Sequence, residues 1–562
     1  METTGETLLA RQSASSDFRI PRTVGGTKPA FPVAIVVRVT SHLAIWAAIL
    51  IPTAMEMAKG WRPLLDDSTI SARSYEVLSL HSPLLGQFSQ ASFSHGSTTT
   101  SHLIFSPGPL QYWLLALPVH LDPIQGALWG AALWSGAIVS LATEAAWSRA
   151  GWIGCAGVAL VVIDLAWTMP QVFVHLVWNP YFGLIFFVAT VVFALVVATG
   201  SLGWWPVLVA TASVACQTHL IFSGPSVALA LAAPVLGGVR NGRPDRFRWL
   251  SAGVGVGVVC WVGPFIQELT TRPGNLTLLV TNGASRKGLG VDAGFRVLGA
   301  QGSIRPIWLT RATITGWHTA IGSFRSPAYG VFLLALMMSI AVLGRVFGHP
   351  DLSSVAILAT LCSLATVFMF TSYPIAESLF LYYLDLIWWV EGMVLWVVVG
   401  VAAFVGLRSL SSRRSAASNG PPPESRQDHS RRWAILAGSV VALLLVSTVL
   451  SVRAMVSPSS NLHVMPVEDS EVEHITAAVE RAVPPGPVAV VIKTTDFGLT
   501  FFGVPVGVAW QLKADGWLPT EPMAIQASNA FFVPPRTKSP TVVVTVQDGH
   551  VGSKVSRQRA AH

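Results

Sequence analysis

PYFGLIFFVATVVFALVVAT, residues 180–199, runs for 20 positions without a charged side chain. As a helix rising ~1.5 Å per residue it would reach ~30 Å, the thickness of a bilayer's hydrocarbon core. Apolar runs of similar length recur on both sides of it, near 39–56, 124–147, 151–170, 203–221, 223–239, 248–267, 328–346, 353–373, 380–407 and 433–454. The chain therefore reads as a mainly α, polytopic membrane helical bundle with about eleven transmembrane helices. Composition agrees: 52% of its 562 residues are hydrophobic and 11% charged, with a mean hydropathy of +0.56, far more apolar surface than a soluble domain buries.

The formal charge of +8 would suggest nucleic acid in a soluble protein, but the arginines sit between apolar runs, where they orient spans. Nucleic acid is set aside on that ground, and membrane lipids are the expected surroundings. The basic N-terminal tail, Arg149, the cluster Arg240, Arg243, Arg246 and Arg248, and the linker 408–432 all fall on one side by the positive-inside rule. That arrangement puts the N-terminus in the cytoplasm and the C-terminus outside it. The Arg-over-Lys bias and abundant Ala, Val and Gly suit a GC-rich bacterium, hence a multi-pass protein of the bacterial plasma membrane.

Three units follow: a disordered cytoplasmic tail, 1–31; a transmembrane unit, 32–455, with outer loops 57–123 and 268–327; and a small extracytoplasmic α/β domain, 456–562. In the last, a helical pattern at 470–483 precedes strand-like runs at 488–493 and 541–546. The Ser- and Arg-rich linker 409–432, with Pro421-Pro422-Pro423, reads as a flexible inside loop. Residues 107–121 are apolar but would reach only ~22 Å as a helix. They are expected to lie in the outer interface, with Tyr112, Trp113 and His120 at headgroup depth. Cys155, Cys216, Cys260 and Cys362 all lie inside apolar runs, which argues against a disulfide framework. No metal-ligand spacing occurs, so no cofactor is assigned, and a requirement for a divalent cation stays open.

Polar residues concentrate where spans meet the outer side. Asp66 and Asp67 open the first outer loop, followed by Arg73, Glu76 and His81. Carboxylates at the mouth of a membrane cavity can act as general bases if partly desolvated; the alternative is a pair of solvated turn aspartates capping the next helix. Trp178-Asn179-Pro180 opens the fourth span, where Asn179 could serve as a helix cap, and Gln217-Thr218-His219 closes the fifth. The long loop carries Arg272, Arg286, Lys287, Arg296, Arg305, Arg311 and Arg325 against Glu268 and Asp292, a cation surplus that an anionic substrate or lipid headgroups would explain. Asp164, Asp385 and Glu391 lie within spans and should face the bundle interior, with Tyr383 a candidate partner.

Read in order, Asp66, Pro83-Leu84-Leu85-Gly86, Pro107-Gly108-Pro109-Leu110, Trp178-Asn179-Pro180, Gln217-Thr218-His219 and Pro273-Gly274-Asn275-Leu276 resemble the actinobacterial branch of the GT-C membrane glycosyltransferases. These are relatives of the dolichyl- and polyprenyl-phosphate sugar transferases. The resemblance implies a GT-C-like bundle, a catalytic aspartate in the first outer loop (Asp66, with Asp67 beside it), a polyprenyl-phosphate-linked sugar as donor, and a short outer helix beginning at Pro-Gly-Pro-Leu. The expected reaction is inverting transfer, on the outer face, to a cell-envelope glycan or lipid acceptor. Arg272, Arg296 and Arg73 are the expected donor-phosphate ligands; Trp178, Asn179, Gln217, His219 and His102 are the expected sugar or acceptor contacts. The family pattern has His before Pro-Gly-Pro-Leu, where this chain has Ser106, with His95 and His102 upstream. The alternatives are a transporter or flippase of lipid-linked sugars using Asp164, Asp385 and Glu391, and a non-catalytic envelope scaffold.

Overall fold

A computed structural model describes residues 31–80, 82–88, 104–238, 243–284, 288–302, 306–309, 326–373, 386–417, 426–456, 466–494, 504–520, 541–547 and 550–556. The chain is a polytopic bundle of membrane helices carrying a small C-terminal α/β unit. Among the described residues, nine helices are long and apolar enough to cross a membrane. Helices α1 (Phe31–Ala58), α2 (Leu65–Tyr75), α3 (Leu110–Leu121) and α4 (Gly126–Thr168) come first. Then follow α5 (Pro170–Val174), α6 (Asn179–Ala198), α7 (Trp205–Thr218), α8 (Ser223–Gly238), α9 (Arg243–Thr270), α10 (Asn275–Ala284) and α11 (Val291–Ala300). Helices α12 (Ala328–Val346), α13 (Pro350–Thr371), α14 (Leu386–Ala417) and α15 (Arg426–Val456) complete the bundle.

The 43 residues of α4 form two limbs, not one rod. Gly151 breaks it with φ 61 and ψ −144, a conformation open to glycine and costly for any other residue. The Cys155 thiol lies 3.8 Å from the Thr143 carbonyl, although 12 residues of straight helix would separate them by ~18 Å. The limbs thus fold back on each other, as the expected spans 124–147 and 151–170 require. The expected span 203–221 is realised as α7, only 14 residues, extended by 3-10 turns at Leu202–Trp204 and Leu220–Phe222. It packs against α6 and α9.

Polar ties cross the apolar interior. Glu144 on α4 accepts hydrogen bonds from the Arg38 guanidinium and pairs with His42 Nε2 at 2.7 Å, joining α1 to α4. Arg149, at the turn between the α4 limbs, reaches Asp351 on α13 at 3.1 Å. Glu391 on α14 is 1% exposed and accepts from Ser363 (3.0 Å) and Thr366 (2.6 Å) on α13, so this intramembrane carboxyl does face the interior. Trp389 donates to Thr168 at 2.8 Å. Asp385 and Tyr383 lie outside the described residues. The linker expectation is corrected for its described parts: helix persists to Ala417 and is present again from Arg426, as Ala and Arg, good helix formers, permit; Pro421-Pro422-Pro423 lies outside the described residues.

The C-terminal unit comprises α16 (Pro466–Ala482), β1 (Pro487–Thr494), α17 (Val504–Ala514), β2 (Leu518–Thr520), β3 (Thr541–Gln547) and β4 (His550–Ser556). Its sheet order is β2-β1-β3-β4, with β1 parallel to β2 and β3, and β3 antiparallel to β4. Val472, Ile475 and Val479 recur at helical spacing and pack with the inward residues Val542 and Val544 in a core separate from that of the bundle. Leu64, from the connection between α1 and α2, enters this second core.

Placing alanine at Gly151 should cost roughly 1–3 kcal/mol, whereas Gly157, whose added Cβ would meet nothing within 4 Å, should accept it without loss. Thermal unfolding in lipid nanodiscs would show a lower Tm for Gly151→Ala only; equal midpoints would contradict the hairpin turn.

Candidate functional site

The first connection between spans brings Asp66 to the end of the bundle where α6 begins. Gly60 (φ 83) turns the chain after α1, and Leu65 takes the left-handed conformation (φ 47) just before Asp66. The residue preceding α2, Leu64, makes no side-chain cap bond. The Asp66 carboxylate points across the connection: Oδ1 accepts from Gln87 Nε2 and Oδ2 from Trp178 Nε1, both at 2.8 Å. Gln87 Oε1 in turn accepts from the Tyr112 hydroxyl at 3.0 Å. One chain of hydrogen bonds so links α3, the segment after α2, α2 itself and the start of α6.

Every motif singled out in the sequence helps hold this chain in place. Gly86 N donates to Ser106 O (3.0 Å) and Ser106 N to Gln87 O (2.7 Å), a short antiparallel contact continued by the Phe88–Phe105 bridge. A Cβ on Gly86 would stand 2.6 Å from the Gly108 carbonyl, and one on Gly108 would collide with the Gln217 side chain. Asn275 clamps Phe105 from both sides of its peptide, accepting from its N–H at 2.9 Å and donating to its carbonyl at 3.0 Å. That pairing fixes the amide's orientation, since the flipped form would oppose donor to donor.

The remaining amides serve helix ends and a helix break. Pro264 lies inside α9 and supplies no N–H to the carbonyl four residues earlier, that of Cys260. Gln217 Nε2 donates to that carbonyl at 2.7 Å. Asn179 donates to Thr218 O at 3.1 Å, at the end of α7, and Gln111 to Val177 O at 2.7 Å, just before Trp178. Buried carbonyls need donors wherever a helix stops supplying them, and these side chains fill the gaps.

Asp66 is partly buried, so a substrate can reach it while the surrounding protein still excludes much of the water. Burial pushes its pKa above the ordinary carboxylate value; the hydrogen bonds from Trp178 and Gln87 pull it back part of the way. Tyr112, 1% exposed, is pushed up by burial, with the Arg73 charge opposing and the Asp66 charge adding to the shift. Arg73 stands seven residues after Asp66, on the same face of α2. It pairs with Glu76 at 3.4 Å. A carboxylate offers about four acceptor positions; with two used by protein, others remain for a hydroxyl proton.

The structure brings Trp178 to Asp66 and sets Arg73 about two turns along the same face of α2. Asp67 follows on α2, with its backbone in the helix and its carbonyl accepting from Ser71; the bonds from Gln87 and Trp178 go to Asp66. Arg272 is exposed three residues before Asn275. Arg296 pairs with Asp292 at 2.5 Å on α11, a helix packed on α12 and α13. His219 is partly buried and its Nδ1 accepts from Ile221 N at 3.3 Å. His102 and His95 lie outside the described residues, as do Arg286, Lys287, Arg305, Arg311 and Arg325. Asn179 and Gln217 each give an amide N–H to a backbone carbonyl, while Gln217 Oε1 is buried without a hydrogen-bond partner among the described residues; Tyr112 is buried and donates to Gln87. Sequence reasoning passed over Gln87, although it directly follows Pro83-Leu84-Leu85-Gly86. Among the described residues no group of three or more His, Cys, Asp or Glu side chains could hold a metal ion.

No family model and no curated protein matches this chain. Among solved structures, the chain is similar to the crystal structure of ArnT from Cupriavidus metallidurans bound to undecaprenyl phosphate, with 13% sequence identity and a TM-score of 0.46 over 92% of this chain and 93% of that one. A likeness at this level carries nothing about chemistry, which rests on the residues gathered around Asp66.

Proposed function

We propose that this protein is a GT-C-type membrane glycosyltransferase that moves a sugar from a polyprenyl-phosphate donor to a cell-envelope acceptor on the outer face, with Asp66 as general base. The carrying observation is the Asp66 carboxylate itself, partly buried, oriented by Gln87 and Trp178, and enclosed by motifs that lie far apart in sequence. A carboxyl with a raised pKa accepts a proton more readily, and a fixed orientation keeps its lone pairs on the reacting hydroxyl.

In this mechanism the acceptor oxygen attacks the anomeric carbon as Asp66 takes its proton. The bond from that carbon to the phosphate oxygen breaks, and polyprenyl phosphate departs with the electron pair. Phosphate is a weakly basic leaving group, so one carboxylate suffices where glycoside hydrolysis needs two. A single displacement inverts the anomeric configuration. Arg73, on the Asp66 face of α2, and exposed Arg272 would offset charge on the departing phosphate; Arg73 is already paired with Glu76 and Arg296 with Asp292, so each would have to share its guanidinium with the phosphate. Asn179 and Gln217 act as positioning residues through Trp178 and Gly108, while His219 stays a candidate acceptor contact. This assignment puts the Asp66 end of the bundle outside and Arg149, at the opposite end of the second α4 limb, in the cytoplasm.

The test is label transfer from polyprenyl-phosphate sugars to envelope glycan acceptors by the protein in nanodiscs. Asp66→Asn should lower kcat by roughly 10²–10⁴ and Asp67→Asn by less than about tenfold; no product from arabinose, mannose, glucose and galactose donors would contradict the reading.

Activity should fall as pH drops through the Asp66 pKa, and this acid limb should lie above ~3.9, the ordinary aspartate value. Gln87→Ala and Trp178→Phe each remove a donor that favours the charged carboxylate, so each should move the limb to higher pH. Limbs that stay put in both variants would detach them from the base.

A further inference from the structure

The C-terminal unit docks on the helix that carries Asp66. Leu64 leaves the bundle to pack with Val472, Ile475 and Val508, and Gly507 comes so near that an added Cβ would lie 3.1 Å from Leu64 and 3.3 Å from the Pro63 carbonyl. Trp510 on α17 donates to Pro123 O at 3.0 Å and meets the edge of Tyr75, which stacks on His120 of α3. Two ion pairs of opposite polarity bracket α2. Before its start, Arg62 of the bundle pairs with Glu473 of the C-terminal unit at 3.3 Å. At its end, Glu76 of the bundle pairs with Lys513 of the C-terminal unit at 3.5 Å.

The two kinds of contact do different things. The Arg62–Glu473 pair, with Glu473 exposed, contributes little to stability, and the buried Lys513–Glu76 pair is offset by its desolvation, so the apolar contacts of Leu64 and Trp510 supply most of the attachment. The pairs supply register: with a cation on the bundle side at one end and an anion at the other, reversing α2 against the C-terminal unit, which presents Glu473 from α16 and Lys513 from α17, brings like charges together. Lys513 is mostly buried, and burial lowers its pKa while Glu76 raises it, as befits a cation held at a specific partner.

We propose that the C-terminal unit is a built-in clamp on α2, with Lys513 and Glu473 as positioning residues that fix where Asp66 stands relative to Gln87 and Trp178. The clamp itself stands on contacts alone; its effect on turnover rests on the transferase reading above. A positioning role predicts loss of kcat at nearly unchanged KM, because the donor touches neither residue.

The experiment uses the full chain in nanodiscs with Lys513→Glu, Glu76→Lys and the double exchange, which restores an opposite-charge pair and leaves Arg73 beside the new carboxylate at 513. Hydrogen exchange is read across residues 65–75, together with kcat and donor KM. Each single variant should speed α2 exchange by about tenfold and lower kcat by about tenfold, with donor KM within about twofold in Lys513→Glu, the variant that leaves the Arg73–Glu76 pair in place. The double exchange should bring both back to within about threefold of wild type. Unchanged α2 exchange in the single variants, a loss confined to KM, or no recovery in the double exchange would overturn the clamp. A wild-type protein that transfers no sugar yet shows the exchange pattern would sink the transferase reading and uphold the clamp.

Discussion

A partly buried carboxylate held between two N–H donors is the constraint from which the rest of this structure follows. Taking Asp66 out of water disfavours its charged form, and hydrogen bonds from Gln87 and Trp178 offset that cost only in part. The balance survives only if both donors stay within hydrogen-bond reach, at 2.8 Å. Neither donor sits on α2, so their placement must come from elsewhere in the chain.

Each donor has its own support. Gln87 is held through the Gly86–Ser106 contact, which Asn275 grips by the Phe105 peptide, and through the Tyr112 hydroxyl. Trp178 is held by Gln111 on the preceding carbonyl and by Asn179 on the end of α7. Glycine at 86 and 108 lets these backbones approach more closely than any side chain would allow. Gln217 joins the two supports to α9 by filling the hydrogen bond that Pro264 leaves open. Helix α6, which begins just after Trp178, packs against α4, and the C-terminal unit contacts α2 through Lys513 and Glu76.

The fold was legible where one physical signal dominated. Long apolar runs announced the helices, and the charge at Arg149 called for a turn that Gly151 makes. In the C-terminal unit, the valine-rich runs from Val488 and from Thr541 pointed to strands that are present, while α17, β2 and β4 carried no signal that was read. Asp548-Gly549, two residues between β3 and β4, is a hairpin signal that could have found the last strand. At the site, the motif order marked the right neighbourhood, but not which atoms meet. Asn179 and Gln217 look like substrate contacts by residue type; their employment depends on which carbonyls the helices leave unpaired, a tertiary fact invisible in local sequence. The buried partner that the Tyr112 hydroxyl finds in Gln87 is likewise supplied only by the fold.

The central claim is that enclosure outweighs two hydrogen-bond donors at Asp66 and leaves it poised as a base. Infrared difference spectroscopy of the protein in nanodiscs, titrated with acid and referenced to Asp66→Asn, reads that carboxyl directly. A protonated-carboxyl band, absent in the variant, should appear with a midpoint above the ordinary aspartate value of ~3.9. A midpoint at or below that value would mean that the donors win, and Asp66 would then be a structural carboxylate instead of a base.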